Sequence, residues 1–182
     1  METTNRRLIW HGMFLFLLGL VTGFAEQRFT NVRMGLAAHL EGVMNGTFLV
    51  ALGAIWAEVR LPAAAKVTAY WTALYGTYVN WLVTTLAAIF GTAALSPITA
   101  AGHNGLPWQE SLVTAGFLSV GVVIVASSLL VLWGLRARAA VMLRREPRKR
   151  TERGTQTNKS QPAELRPPIG VIRSILKTRS PY

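Results

Sequence analysis

The sequence contains no cysteine, and charged residues are scarce. Only 15% of its 182 residues are Asp, Glu, Lys or Arg, whereas 51% are hydrophobic. Without cysteine the chain cannot form a disulfide, use a thiolate nucleophile or bind a metal through thiolate ligands. Any metal must therefore be held by imidazole, carboxylate or carbonyl groups. The chain also lacks a glycine-rich phosphate loop, an internal repeat and a segment long enough for a soluble domain.

The hydrophobic residues are concentrated in four long runs, at about 8–25, 34–57, 67–94 and 111–135. Each run is close to the ~20 residues that a helix needs to cross the hydrocarbon core of a bilayer. The sequence therefore predicts an all-α integral membrane protein, with a four-helix bundle over residues 1–137. Residues 138–182 are predicted to form a basic and largely disordered tail, because they are polar, charged and proline-containing.

Positive charge is concentrated at the C-terminus. From Arg136 onward there are 13 Lys and Arg residues and three acidic residues, whereas residues 1–135 contain six Lys and Arg residues and five acidic residues. The positive-inside rule therefore predicts an inner or plasma membrane protein whose C-terminus is cytoplasmic, and with four spans the N-terminus lies on the same side. The basic cluster is expected to contact anionic lipid headgroups rather than nucleic acid. A cleaved signal peptide at the N-terminus is the alternative. Cleavage would leave three spans and would place either the basic tail or the retained N-terminus on the side that the positive-inside rule disfavours.

The second apolar run carries three polar side chains, His39, Glu41 and Asn45. Such groups are costly to bury without partners, so at membrane depth they usually serve a ligand, a metal or a helix contact. At about 3.6 residues per turn, Gly42 and Gly46 fall on the stripe of His39, whereas Glu41 and Asn45 share the adjacent stripe. The glycine stripe suits close helix packing, and equally a flat macrocycle beneath an imidazole ligand.

The third apolar run adds aromatic and hydrogen-bonding side chains. Tyr75 and Tyr78 recur at helical spacing, and Asn80 and Thr84 form a neighbouring polar stripe. The two tyrosines and Thr84 are predicted to bind an aromatic substrate, although tyrosines also anchor spans at the interface and threonines bond to their own helix. Asn80 lies well inside the span and is expected to contact substrate or another site residue.

Several segments together resemble a known family of membrane isomerases. HGMFLFLLGLVTGF, RMGLAAHLEGVMNGTFLV and YGTYVNWL, with a later Gly-His before the last span, resemble hydroxylaminobenzene mutase and, more distantly, the styrene oxide isomerases. The resemblance covers about residues 8–135. Its most specific element is a histidine followed six residues later by Asn-Gly, here His39 and Asn45-Gly46. The basic tail lies outside it.

The resemblance implies an intramolecular rearrangement of hydroxylaminobenzene to 2-aminophenol, which requires a polarised nitrogen–oxygen bond. It implies that His39 binds the iron of a ferric haem b, which acts as a Lewis acid on the substrate oxygen, and that Asn45 orients the substrate. Without haem, Glu41 as general acid and His39 as general base are the alternative. The chain departs from the isomerase pattern at Tyr75-Gly76, where an acidic residue and glycine are expected, so epoxide isomerisation is the less favoured chemistry.

Three hypotheses of different class follow from these features. The first is a mutase acting on aromatic hydroxylamines, the second a haem-bearing electron-transfer subunit, and the third a small transport or scaffold subunit. His39 is the histidine deep in a span, so the paired axial histidines that would suit an electron carrier are not favoured. The glycine stripes also predict a homo-oligomer, with a small aromatic substrate and membrane lipids as further partners.

Overall fold

The computed structural model describes the backbone of residues 2–156 and the side chains of residues 3–136. Within this part the chain is helical and contains no strand. Four helices are long and apolar enough to cross a membrane, which confirms the predicted all-α, four-span architecture. The helices are α1 Glu2–Ala25, α2 Val32–Ile55, α3 Ala63–Phe90, the short α4 Pro97–Ala100, and α5 Pro107–Gln156, with a 3-10 turn at Glu26–Arg28.

The helix ends differ from the predicted spans because capping groups, rather than hydropathy, determine them. α2 follows Asn31, whose side chain accepts the N–H of Met34 at 3.1 Å. α3 begins directly after Pro62 and ends where Gly91 adopts a left-handed conformation with φ of 66°. The span predicted over 67–94 therefore starts and ends four residues too late.

The C-terminal part of the chain is described only in its backbone. Residues 2–142 form one compact unit, and the described residues after them, 143–156, belong to a second. α5 is helical to Gln156, beyond the predicted end of the last span at 135. Ala, Arg, Leu and Met predominate in residues 136–145 and favour helix, which explains why the helix continues directly after the span. The rest of the predicted tail, residues 157–182, lies outside the described residues.

α1 and α2 pack as an antiparallel pair through facing glycines. Gly19 of α1 lies against Gly42 of α2, and Gly12 lies against Gly46. A Cβ built on Gly19 would stand 2.6 Å from the backbone nitrogen of Val43, which is too close for any side chain. Small residues allow membrane helices to approach this closely. The glycine stripe of α2 is therefore filled by α1.

α3 packs antiparallel to α2 and also contacts α5, where Gly76 lies under Ile124. Apolar side chains form two separate clusters along the bundle. Each of α2 and α3 contributes one part to the first cluster and another part to the second. Polar residues lie between these two parts on both helices. The first cluster includes Leu8, Leu15, Leu49, Leu52, Trp56 and Ala73, and the second Met34, Val83, Ala87, Ala88 and Val113.

The connection between α3 and α5 is ordered by two polar side chains. The Glu110 carboxylate accepts the backbone N–H groups of Ala93 at 2.9 Å, Ala94 at 2.8 Å and Gly105 at 2.8 Å. The Asn31 amide donates to two carbonyl oxygens of α4, at 2.9 and 3.1 Å. These bonds fix the end of the bundle where α2 begins and α3 ends.

Gly19→Ala is expected to lower the free energy of unfolding in detergent by about 1–3 kcal/mol, because the added methyl group forces the α1 and α2 backbones apart. The thermal unfolding midpoint of the purified protein measures this. Gly121→Ala is the matched control, since it makes the same change within a helix where nothing lies within 4 Å of the new Cβ. Equal midpoints for the two variants would contradict the packing account.

Candidate active site

Three polar side chains meet between α2 and α3, inside the membrane-spanning part of the chain. The side-chain nitrogens of Asn45 and Asn80 both donate to Oε2 of Glu41, Asn45 at 3.2 Å. The Asn45 nitrogen also donates to the backbone carbonyl of Thr77 at 3.3 Å. All three side chains are partly buried. Each was predicted as a site residue from the sequence, and the fold brings the three into one cluster.

This cluster borders a groove between α2, α3 and α5 with a volume of about 500 Å³. Asn45 and Asn80 form its polar wall. The rest of the lining is mostly apolar, and a cavity of this size with a few convergent polar groups suits a small aromatic molecule. The contribution of α5 was not predicted from the sequence. The other lining residues are Met44, Phe48, Phe117, Val120, Gly121, Ile124 and Ser128.

His39 faces α1. Its Nδ1 lies 2.8 Å from the backbone carbonyl of Gly19, and a Cβ on Gly23 would come within 2.7 Å of the same nitrogen. A carbonyl oxygen can only accept, so Nδ1 donates in this bond, and in the neutral imidazole Nε2 is then the nitrogen with the free lone pair. This is the usual arrangement of a histidine that binds a metal through Nε2. In one copy of the chain, His39 and Asn45 therefore contact different helices.

The glycines predicted to lie beside a macrocycle pack against α1 instead. A Cβ on Gly46 would stand 2.5 Å from the backbone nitrogen of Phe16, and Gly42 lies against Gly19. The α1 backbone leaves no room for a flat ring on this stripe within one chain. Among residues 3–136, no group of three or more His, Asp or Glu side chains is placed to hold a metal ion.

The two tyrosines of α3 that were predicted to bind substrate lie away from the polar cluster, whereas Thr84 bonds to the backbone of one of its members, Asn80. Tyr78 donates its hydroxyl to the backbone carbonyl of His11 at 3.2 Å, and Tyr75 contacts the Ser119 hydroxyl at 3.1 Å. Thr84 is buried and donates to a carbonyl of its own helix at 2.8 Å. The tyrosines line a second groove of about 450 Å³ between α1 and α3, together with Trp10, His11, Phe14, Trp71 and Leu74.

Comparison with known proteins agrees with the sequence resemblance. Residues 4–136 match the family model described as SOI: Styrene oxide isomerase. The chain is 46% identical over 136 residues to hydroxylaminobenzene mutase HabB of Ectopseudomonas oleovorans, an alignment that covers 74% of this chain and 83% of HabB. It is 42% identical over 125 residues to hydroxylaminobenzene mutase HabA of the same organism, covering 68% of this chain and 93% of HabA. No solved structure gives a significant match. The resemblance is thus confirmed, and the chain belongs to the styrene oxide isomerase family.

Proposed function

We propose that this protein is a membrane-bound isomerase that converts hydroxylaminobenzene, or a closely related aromatic hydroxylamine, to the corresponding 2-aminophenol. Both relatives described above are named hydroxylaminobenzene mutases. The observation that carries the proposal is the cluster of Glu41, Asn45 and Asn80, whose two asparagines line a mostly apolar groove. The groove holds the ring, and the cluster holds the hydroxylamino group.

The proposed reaction is balanced within one molecule. The nitrogen–oxygen bond breaks, an oxygen–carbon bond forms at the ortho position, the ortho carbon loses its proton and the nitrogen gains one. No electrons enter or leave. Phe48, Phe117 and Ile124 surround the ring and limit the access of water, which would otherwise capture a cationic ring at random positions. Confinement therefore favours one product isomer.

Asn80→Leu is expected to lower kcat/KM for hydroxylaminobenzene at least about tenfold, because it removes a hydrogen-bonding group and keeps the side-chain size. Membranes that contain each variant are incubated with hydroxylaminobenzene, and 2-aminophenol is separated and quantified. Thr68→Val on the same helix is the control, since the Thr68 hydroxyl is exposed and bonds the carbonyl of Ala64 in its own helix. Absence of 2-aminophenol from the wild-type membranes would refute the proposed function.

We also propose that His39 holds haem b through Nε2. The bond from Nδ1 to the Gly19 carbonyl supports this assignment, because it leaves Nε2 available and fixes the ring. When bound, the haem would supply a Lewis acid for the substrate oxygen. The residues of the chain itself bind the ring, orient the hydroxylamino group and restrict water.

His39→Ala is expected to abolish the Soret absorbance of the purified protein, because the variant lacks the iron ligand. His103→Ala is the matched control, since His103 is exposed in the connection between α4 and α5. Absorbance spectra, with haem quantified per chain after extraction, measure the effect independently of turnover. A colourless wild-type protein that still forms 2-aminophenol would exclude the haem assignment.

The position of His39 supports a shared site in a homo-oligomer. His39 contacts α1, whereas Asn45 and Asn80 line a groove on the other side of α2. We therefore infer that the His39 of one copy serves the groove of another. The exterior carries many exposed large apolar side chains, which is compatible with contacts between copies.

Co-expression of the His39→Ala and Asn80→Leu chains is expected to restore part of the 2-aminophenol formation that each variant lacks alone. Mixed assemblies would contain one site built from the intact His39 of one chain and the intact Asn80 of the other. Differently tagged chains, purified through both tags, isolate the mixed assemblies. No gain over the separate variants would contradict a site shared between copies.

For the membrane arrangement we propose an inner or plasma membrane, with both termini in the cytoplasm. The excess of Lys and Arg after residue 135 and the even number of spans support this orientation. Residues 91–106, between α3 and α5, contain no Lys or Arg and fit the opposite side. The basic segment is proposed to contact anionic lipids, and its side chains lie outside those described.

A further inference from the structure

The partners of the two asparagines fix the direction in which their amide groups point. Oε2 of Glu41 accepts a hydrogen bond from Nδ2 of Asn45 and another from Nδ2 of Asn80. The second partner of Asn45 is the Thr77 carbonyl, which can only accept. Both amide nitrogens are therefore turned toward Glu41. The carbonyl oxygens of both amides point away from it.

These two carbonyl oxygens have no donor among the described residues. Neither Oδ1 accepts a hydrogen bond from any residue in the part of the chain whose side chains are described. In that part, the buried side-chain atoms without a partner are Asn5 Oδ1 and Thr92 Oγ1, so the oxygens of Asn45 and Asn80 are accessible. Both residues line the groove between α2, α3 and α5. An acceptor without a donor is costly at membrane depth, so the groove favours a ligand that donates.

We propose that Glu41 makes this groove selective for aromatic ligands that carry hydrogen-bond donors, by turning the amide oxygens of Asn45 and Asn80 toward the ligand. An aromatic hydroxylamine carries an N–H and an O–H on adjacent atoms, one donor for each amide oxygen. An epoxide carries only an acceptor oxygen, which these amide oxygens repel. Glu41 acts here as a positioning residue, and this role rests on the proposed function.

Removing the carboxylate reverses the selectivity. In Glu41→Gln the new NH₂ group needs an acceptor at membrane depth. Asn45 keeps its bond to the Thr77 carbonyl, so the Asn80 amide is expected to rotate, which gives its oxygen to Gln and presents its NH₂ group to the groove. The groove thereby loses one acceptor and gains one donor, at nearly constant volume.

The test is binding of hydroxylaminobenzene and of styrene oxide to the purified full-length protein in mild detergent, followed by stopped-flow tryptophan fluorescence before product forms. The wild type is expected to bind hydroxylaminobenzene at least about tenfold more tightly than styrene oxide. Glu41→Gln is expected to weaken the binding of hydroxylaminobenzene about tenfold and to strengthen the binding of styrene oxide. Thr47→Val on the same helix is the control, since the Thr47 hydroxyl bonds the Val43 carbonyl at 2.9 Å.

Equal affinity of the wild type for the two ligands, or an equal loss of both in Glu41→Gln, would overturn the proposal. Asn80→Leu provides a second variant if Glu41→Gln does not fold. It removes one acceptor without adding a donor, so the binding of hydroxylaminobenzene should weaken about tenfold and the binding of styrene oxide should not weaken. Equal weakening of the two would again overturn the proposal.

Binding and turnover separate this proposal from the proposed function. Selective binding that shifts in Glu41→Gln, without formation of 2-aminophenol, supports the role of Glu41 and refutes the function. Formation of 2-aminophenol with no shift of selectivity in Glu41→Gln supports the function and refutes the role of Glu41.

Discussion

A polar side chain in the hydrocarbon part of a bilayer needs a partner from the protein, and this constraint determines how α2 and α3 meet. Several hydroxyls satisfy it locally, as Thr77 does by donating to carbonyls of the preceding turn. The NH₂ groups of Asn45 and Asn80 satisfy it through the Glu41 carboxylate, across the interface of the two helices. The same hydrogen bonds therefore hold α2 to α3 and form the polar wall of the groove.

The number and class of the helices could be predicted from hydropathy, because a span needs a long apolar run and little else. The ends of the helices could not. Asn31 begins α2 by capping it, and Gly91 ends α3 by adopting a left-handed conformation, while the apolar runs continue past or begin after these residues. Hydropathy reports where a chain is apolar, and capping groups act on individual backbone atoms that a window average does not distinguish.

The residues of the site could be predicted more readily than their grouping. Polarity at membrane depth was enough to select Glu41, Asn45 and Asn80, and helical periodicity placed His39 on a different stripe. Periodicity does not say which neighbour each stripe meets, so the packing of Gly42 and Gly46 on α1 required the fold. The wall that α5 contributes has no sequence signal, because an apolar side chain that faces a groove resembles one that faces lipid.

The bonds of Glu110 and Asn31 have a consequence for the insertion of the chain into a membrane. They order the connection between α3 and α5 with a carboxylate and a neutral amide, and residues 91–106 contain no Lys or Arg. Topology responds to Lys and Arg near the ends of spans, whereas acidic residues count for little. The connection between α3 and α5 thus acquires a defined structure without adding an orientation signal that competes with the basic C-terminus.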